Sequence, residues 1–240
     1  MQLIINSIKS VYLIIWTLFI STLSLIAAPF DWKKKFHSFV MRLWAQHFMQ
    51  IAGIKLSIEG KENLEEASPA VIVINHESAI DIPVVIAALP VQERFLAKLI
   101  LFQMPIFGWA LFFGGHIPVN RSKPKKAIAS INKRSGKIVA RKQNFVISPE
   151  GTRSIDGRIQ KFKKGAFKIA DQYDLPIIPV VMMGNRHCAP KGSKFVNPGH
   201  IKVKILQKVD LNDYTGIRDC MEEVRKRMAD YKHEYEDKRA

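Results

Sequence analysis

Cysteine is nearly missing from this chain. It has two in 240 residues, Cys188 and Cys220, far apart and without metal-ligand spacing, so neither a disulfide framework nor a cysteine-built metal site has a basis, and a reducing compartment is implied. The Gly-x-Ser-x-Gly elbow that presents a nucleophilic serine in many acyl-transferring enzymes is lacking too. There is no internal repeat and no low-complexity tract, which leaves one α/β domain of ordinary size plus an appendage. Zinc-finger spacings and strands interleaving aromatic with basic side chains are also absent, and with them the common means of binding nucleic acid. Acidic residues are scarce: 21 Asp and Glu stand against 37 Lys and Arg, a net charge of +16. That excess calls for an anionic partner such as an anionic membrane, a phosphorylated substrate or a nucleic acid.

Charge is also missing locally. Residues 11–30 carry none, a run about as long as the apolar core of a bilayer is thick. It ends at Trp32-Lys33-Lys34-Lys35, an aromatic and a lysine cluster suited to lipid headgroups, which favours the cytoplasmic side if the segment spans. Phe36, Phe39, Val40, Leu43, Trp44, Phe48, Ile51 and Ala52 then recur at helical spacing, with Arg42, Gln46 and Gln50 on the other side. Two such helices can form a hairpin dipped into one leaflet. A cleaved signal peptide, suggested by Ala27-Ala28, and a buried core hairpin are the competing readings. The apolar run is long for a signal peptide, and cleavage would strip the second helix of its partner. The reading is a membrane-associated hairpin over residues 1–58 and a catalytic domain over 59–240.

Beyond residues 59–69, apolar runs at 70–74, 94–97, 116–119, 144–148, 177–181 and 201–206 alternate with helical stretches. This predicts an α/β fold, a central, mostly parallel sheet flanked by helices, with its site beyond the carboxyl ends of the strands. A terminal helix from Ile217 onward carries Ile217, Met221, Val224 and Met228 as one packing stripe, and no chemistry is read there.

Chemistry concentrates in Asn75-His76-Glu77-Ser78-Ala79-Ile80-Asp81. Ala70-Val71-Ile72-Val73-Ile74 before it reads as a strand buried on both faces, and Pro83 after it fits only the first turn of a helix. The seven residues are then a strand-to-helix loop, in which Asp81 can fold back on His76. On an unbroken helix, residues five apart would point about 140° away from each other. A carboxylate on one imidazole nitrogen fixes the tautomer and leaves the other free to accept a proton, which makes a general base. Alone, the pair would also suit a histidine capping the sheet and an aspartate capping the helix. The second motif, Ser148-Pro149-Glu150-Gly151-Thr152-Arg153-Ser154, follows another short strand. Its glycine permits close backbone approach and its arginine offers a fork of donors matched to phosphate oxygens.

Together the two motifs resemble the 1-acyl-sn-glycerol-3-phosphate acyltransferase (lysophosphatidic acid acyltransferase, PlsC-like) family. Gly115-His116-Ile117-Pro118-Val119-Asn120-Arg121 and Leu175-Pro176-Ile177-Ile178-Pro179-Val180 resemble two further blocks in order and spacing. Ala97-Lys98 and Pro105-Ile106-Phe107-Gly108-Trp109 also agree, so the likeness covers roughly residues 70 to 185. Ser148, commonly phenylalanine, and Asn120, commonly an acid or a small residue, depart from the pattern. The resemblance implies transfer of a fatty acyl group from acyl-CoA or acyl-acyl-carrier-protein to the free hydroxyl of 1-acylglycerol-3-phosphate, giving phosphatidic acid in phospholipid synthesis. His76 would be the base and Asp81 its orienting carboxylate. Glu150, Gly151, Thr152 and Arg153 would build the acceptor site, with Lys98 and Arg121 adding positive charge for the phosphate. No metal and no tightly bound cofactor would be needed. The partners would be the phospholipid membrane, lysophosphatidic acid and the acyl donor rather than nucleic acid, at the cytoplasmic face of a membrane such as the bacterial inner membrane. Two other readings stay open. One is the same chemistry on glycerol-3-phosphate, a lysophospholipid or a lyso-aminolipid; the other is a non-enzymatic lipid-binding protein, which would not need both His76 and Asp81.

Overall fold

The computed structural model describes residues 2–65, 69–120, 124–193 and 195–237. Two long helices come first, α1 (Gln2–Ala27) and α2 (Lys35–Ala52), then β1 (Ile54–Glu59), the short α3 (Glu62–Glu65), β2 (Val71–Ile74) and α4 (Asp81–Ala88). Strand β3 (Glu93–Lys98) runs into α5 (Leu99–Phe102) and α6 (Phe107–Phe113), and β4 (Ile117–Val119) precedes α7 (Pro124–Ala140). The remaining elements are β5 (Asn144–Ile147), α8 (Gly165–Tyr173), β6 (Ile177–Met183), α9 (Asn185–Cys188), β7 (Gly199–Ile205) and α10 (Ile217–Asp237).

Among the described residues the strands form one seven-stranded sheet in the order β1-β7-β6-β2-β5-β3-β4. Neighbours run parallel except β6 and β7. Parallel strands need crossover helices, and those helices cover both faces of the sheet, so central strands are apolar on both sides. In β2, Ile72 and Ile74 enter the core shared with α2 and α4. Val71 and Val73 enter the opposite core, with Phe167 of α8 and Val224 and Met228 of α10. All seven residues of β6 are buried. Strand β1 was not expected. Lys55, Ser57 and Glu59 interrupt its apolar residues, as suits an edge, and the boundary placed after residue 58 falls inside it.

The N-terminal helices form the expected hairpin, but the apolar residues of α2 do not lie on one face. Val40, Met41, Ala45, Met49 and Ala52 are buried, while Phe36, Phe39 and Leu43 are exposed. Arg42 also faces the protein: its guanidinium donates to the carbonyl oxygens of Leu89 and Val91, beyond the end of α4 (3.3 and 3.0 Å). Helix α1 is long and apolar enough to cross a bilayer. It buries Ile20, Ser21 and Ser24 and exposes Ile4, Ile8, Val11, Ile14, Ile15, Phe19 and Ile26.

Candidate active site

Strand β2 ends where Asn75 takes over its pairing with a side chain: the Asn75 amide accepts from the Met182 N–H (2.8 Å) and donates to the Met182 carbonyl (2.9 Å). Pinned to β6 in this way, the chain leaves the sheet and places His76 at the strand's carboxyl end. Helix α4 begins at Asp81, with Pro83 in its first turn. The intervening loop turns the Asp81 carboxylate back, and His76 Nδ1 lies 2.7 Å from Asp81 Oδ2. The backbone N–H groups of Glu77 and Ser78 donate to the same oxygen (2.8 and 3.0 Å), and Asn185 Nδ2 donates to Oδ1 (2.7 Å). Asp81 is fully buried. A carboxylate can only accept, so Nδ1 carries the proton and Nε2 is left as the basic nitrogen.

The loop after β5 is bonded to the His76 backbone on both sides. Glu150 Oε1 accepts from the His76 N–H (2.7 Å), and the Ser154 N–H donates to the His76 carbonyl (2.8 Å). Glu150 Oε2 accepts from the Gln160 N–H (2.9 Å). Glu150 is therefore buried and does not line the cleft, unlike its neighbours Gly151, Thr152 and Arg153. Burial pushes its carboxyl up to about 7, against the two N–H donors that favour the charged form. Gly151 has φ +74, a conformation that side-chain-bearing residues rarely adopt, so the turn that aims Arg153 at the cleft favours glycine.

His76 opens on a cleft of about 570 Å³ lined also by Lys98, Leu99, Ile100, Gln103, Val119, Asn120, Gly151, Thr152, Arg153 and Lys191. Three of these side chains are cationic and none is acidic, which suits a doubly charged phosphate. The carboxyl ends of four strands line the cleft, β2 through His76, β3 through Lys98, β4 through Asn120 and β5 through residues 151–153, and β6 supports it through the bond of Asn185 to Asp81. Arg121 lies outside the described residues. Lys191 and Asn185 were not picked out from the sequence. Asn185 stands two residues past β6, at the sheet end where site residues collect. Ser148, the departure noted above, has a buried hydroxyl with no hydrogen-bond partner among the described residues.

A second cavity, of about 100 Å³, lies between the hairpin and the sheet, and its walls include Ile20, Val40, Met41, Ile82, Ile86, Ala97 and Leu101. At its polar end sit His37 and His116. The Phe95 N–H donates to His116 Nδ1 (3.0 Å), so the proton of His116 is on Nε2 and donates to His37 Nε2 (3.0 Å). His37 must then carry its proton on Nδ1, 2.6 Å from Ser24 Oγ. Both rings are neutral: burial, with Arg94 and Lys34 nearby, takes His37 down to about 3, and burial lowers His116 as well.

A family model described as Acyltransferase matches residues 55–183, more than half of the chain. A chloroplastic 1-acyl-sn-glycerol-3-phosphate acyltransferase of Arabidopsis thaliana is 35% identical over 198 residues, 80% of this chain and 55% of the plant protein. The alpha form of the enzyme of that name in Mus musculus is 28% identical over 83% of this chain and 70% of its own. This chain spans about half the length of the plant relatives it matches. A crystal structure of the 1-acyl-sn-glycerophosphate (LPA) acyltransferase PlsC from Thermotoga maritima has the same fold, with a TM-score of 0.84 at 22% identity over 98% of both chains. A family match over that span, around a paired histidine and aspartate at the end of a parallel sheet, means that the chain belongs to the Acyltransferase family.

Proposed function

We propose that this protein moves a fatty acyl group from acyl-CoA or acyl-acyl-carrier-protein to the free sn-2 hydroxyl of 1-acyl-sn-glycerol-3-phosphate, giving phosphatidic acid. The observation that carries the reading is the pairing of His76 Nδ1 with a buried carboxylate beside a cleft that has three cations and no acid. Nε2 of His76 takes the hydroxyl proton as the oxygen attacks the thioester carbonyl. The tetrahedral intermediate collapses, the carbon–sulfur bond breaks, and the imidazolium returns the proton to the departing thiolate. Asp81 holds the ring and stabilises the imidazolium; a positioned base of this kind contributes roughly 10²–10⁴-fold. Arg153, Lys98 and Lys191 receive the acceptor phosphate. The names of the relatives in plants and mouse support this choice of acceptor.

The test is acyl transfer by purified protein with both donors and a panel of acceptors: 1-acylglycerol-3-phosphate, glycerol-3-phosphate, uncharged lysolipids and lyso-aminolipids. The lysophosphatidic acid should be the preferred acceptor. In Arg153→Ala its KM should rise far more than the thioester's, and lysine at 153 should restore it incompletely, because an ammonium lacks the two-pronged geometry. Preference for another acceptor would replace the substrate assignment, and equal rises in both KM values would remove Arg153 from phosphate binding.

We further propose that the hairpin of α1 and α2, the helical part of residues 1–58, holds the catalytic part against the cytoplasmic face of a membrane. Helix α1 packs along α2 and against α6, which supports a hairpin dipped into one leaflet. Ile100, Met104, Trp109, Phe112 and Phe113 of the α5–α6 region are exposed; Ile100 lines the cleft, and Met104 shares a groove with Leu13 and Ile14 of α1. Lys33 and Lys35 stand at the turn of the hairpin, where juxtamembrane cations contribute about 1 kcal/mol each near anionic lipid. Full-length protein should stay on anionic vesicles at high salt, since burial of an apolar helix is not screened. Release as salt rises would refute the apolar anchor.

A further inference from the structure

The stripe of α10 that packs on the sheet runs through Met221, Val224 and Met228, all buried. One turn further along the same stripe stands Lys232, which is only 3% exposed. Its ammonium donates to Glu77 Oε1 and to the Gly157 carbonyl (2.5 Å), and Glu236 lies 3.6 Å away. Glu77 belongs to the loop between His76 and Asp81, is itself 4% exposed, and accepts from Asn75 Nδ2 (2.7 Å). Gly157 belongs to the segment after Arg153, whose Ser154 N–H holds the His76 carbonyl. A lysine 155 positions from Glu77 in sequence thus joins the two loops that make up the site.

Stability is a poor explanation for this arrangement. Removing two charges from water costs several kcal/mol per ion, and apolar residues of similar volume in such places are often as stable or more so. Burial drives the Glu77 carboxyl upward, and the Lys232 ammonium and the Asn75 amide only partly offset that. A buried charge network with every member bonded does, however, fix the relative position of the segments it joins.

We propose that Lys232 is a positioning residue for acyl transfer, bridging Glu77 of the His76 loop to the Gly157 carbonyl and so setting the base against the phosphate-binding loop. It touches neither substrate. The proposal rests on the reading of His76 as the base, and it predicts a specific division between stability and turnover. Loss of the bridge lets the two loops shift, and a displacement of about 1 Å at a site of this kind can cost 10²-fold.

The experiment compares wild type, Lys232→Met, Glu77→Gln and the double variant in full-length protein, by melting temperature, by kcat and both KM values per folded enzyme, and by hydrogen exchange. Lys232→Met leaves Glu77 buried without its cation. It should lower the melting temperature, reduce kcat by about tenfold or more and leave the thioester KM within about twofold. Exchange of the Glu77, Ser78 and Ser154 amides should accelerate while the amides of β2 and β6 stay protected. The double variant removes both charges of the buried pair, so its melting temperature should recover, yet without the bridge its kcat should stay low. Turnover within twofold of wild type in Lys232→Met would overturn the proposal. So would a double variant in which kcat recovers together with stability, since Lys232 would then only neutralise Glu77. If Lys232→Met fails to fold, the double variant alone decides. Should wild type transfer no acyl group at all, the reading of the reaction fails, while hydrogen exchange still tests the bridge.

Discussion

Two polar clusters are buried in this molecule, one beneath His76 and one where the hairpin meets the sheet, and they are built to different standards. Beneath His76 the Asp81 carboxylate receives four donors, from His76, Glu77, Ser78 and Asn185. Both Glu150 oxygens receive backbone N–H groups, and Glu77 meets Asn75 and Lys232. Only the Asn185 carbonyl oxygen among these side chains lacks a partner among the described residues. At the hairpin, by contrast, neither oxygen of Glu93 finds a donor there, and Arg42 Nε and Arg94 Nε find no acceptor. The remaining Arg94 donors do reach Ser38 Oγ and the Lys34 carbonyl (3.0 and 3.2 Å), which ties α2 to β3. A nearly satisfied network rigidifies its members into one arrangement, and a partly satisfied one specifies position less well. Changes in the first cluster should therefore appear in turnover, and changes in the second in stability.

The largest effect expected is on the base itself. His76→Ala and Asp81→Ala should each lower kcat by about two orders of magnitude or more with both substrates still bound, because a general base and the group that fixes its tautomer act as one unit. Near-normal turnover in His76→Ala would end the proposed mechanism and the contrast with it. A smaller effect sharpens the contrast directly. Asn185→Ala removes one of the donors to Asp81 and should reduce kcat roughly tenfold, the size of one charge-assisted hydrogen bond, with a modest change in melting temperature. His116→Ala empties a buried site in the other cluster and should cost roughly 2–4 kcal/mol of stability while kcat per folded molecule changes by less than about threefold. If the two variants exchange these behaviours, the division of labour between the clusters is wrong.

How far the site was legible depended on sequence distance. His76 and Asp81 are five residues apart, and Pro83 restricts where the helix can start, so local rules allowed their meeting and the second motif was needed to favour it over two separate caps. The family resemblance puts Glu150 in the acceptor site with Gly151 and Arg153, but a carboxylate buried against backbone N–H groups serves the loop, and nothing in its neighbours distinguishes the two roles. Asn185 reaches Asp81 across 104 positions, and only its place after β6 gives a hint. Lys232 does leave a signal: a charge where the spacing of Met221, Val224 and Met228 demands an apolar residue implies a buried partner, which a reading of that helix as packing alone passes over. The six strands β2 to β7 are visible in the apolar runs, whereas β1, at the edge, alternates Ile54, Leu56 and Ile58 with polar residues and so forms no continuous run. For α2, helical spacing identifies the apolar positions and cannot tell those that meet protein from those left exposed, because the pattern has the same period for both.

The smallest effect concerns Glu93 and tests the hairpin cluster at its weakest point. Burial pushes this carboxyl up to about 7 from an ordinary value of 4.5, and the nearby Arg94 and Arg42 guanidinium groups only partly oppose the shift. Between those two values the folded chain holds a proton that the unfolded chain has released. Stability therefore falls as pH rises through that window and levels off at its lower value once Glu93 ionises in the folded state. Glutamine is neutral throughout and nearly the same shape, so Glu93→Gln should erase that slope. Its melting temperature should exceed that of wild type at pH 8, with the difference shrinking as pH falls toward 4.5. The gain has an upper limit of about 3 kcal/mol. Thermal melts of both proteins across pH 5 to 8 measure it. A variant less stable than wild type at pH 8 would show that Glu93 is charged and bound by Arg42 and Arg94, and the cluster at the hairpin would then be as well satisfied as the one beneath His76.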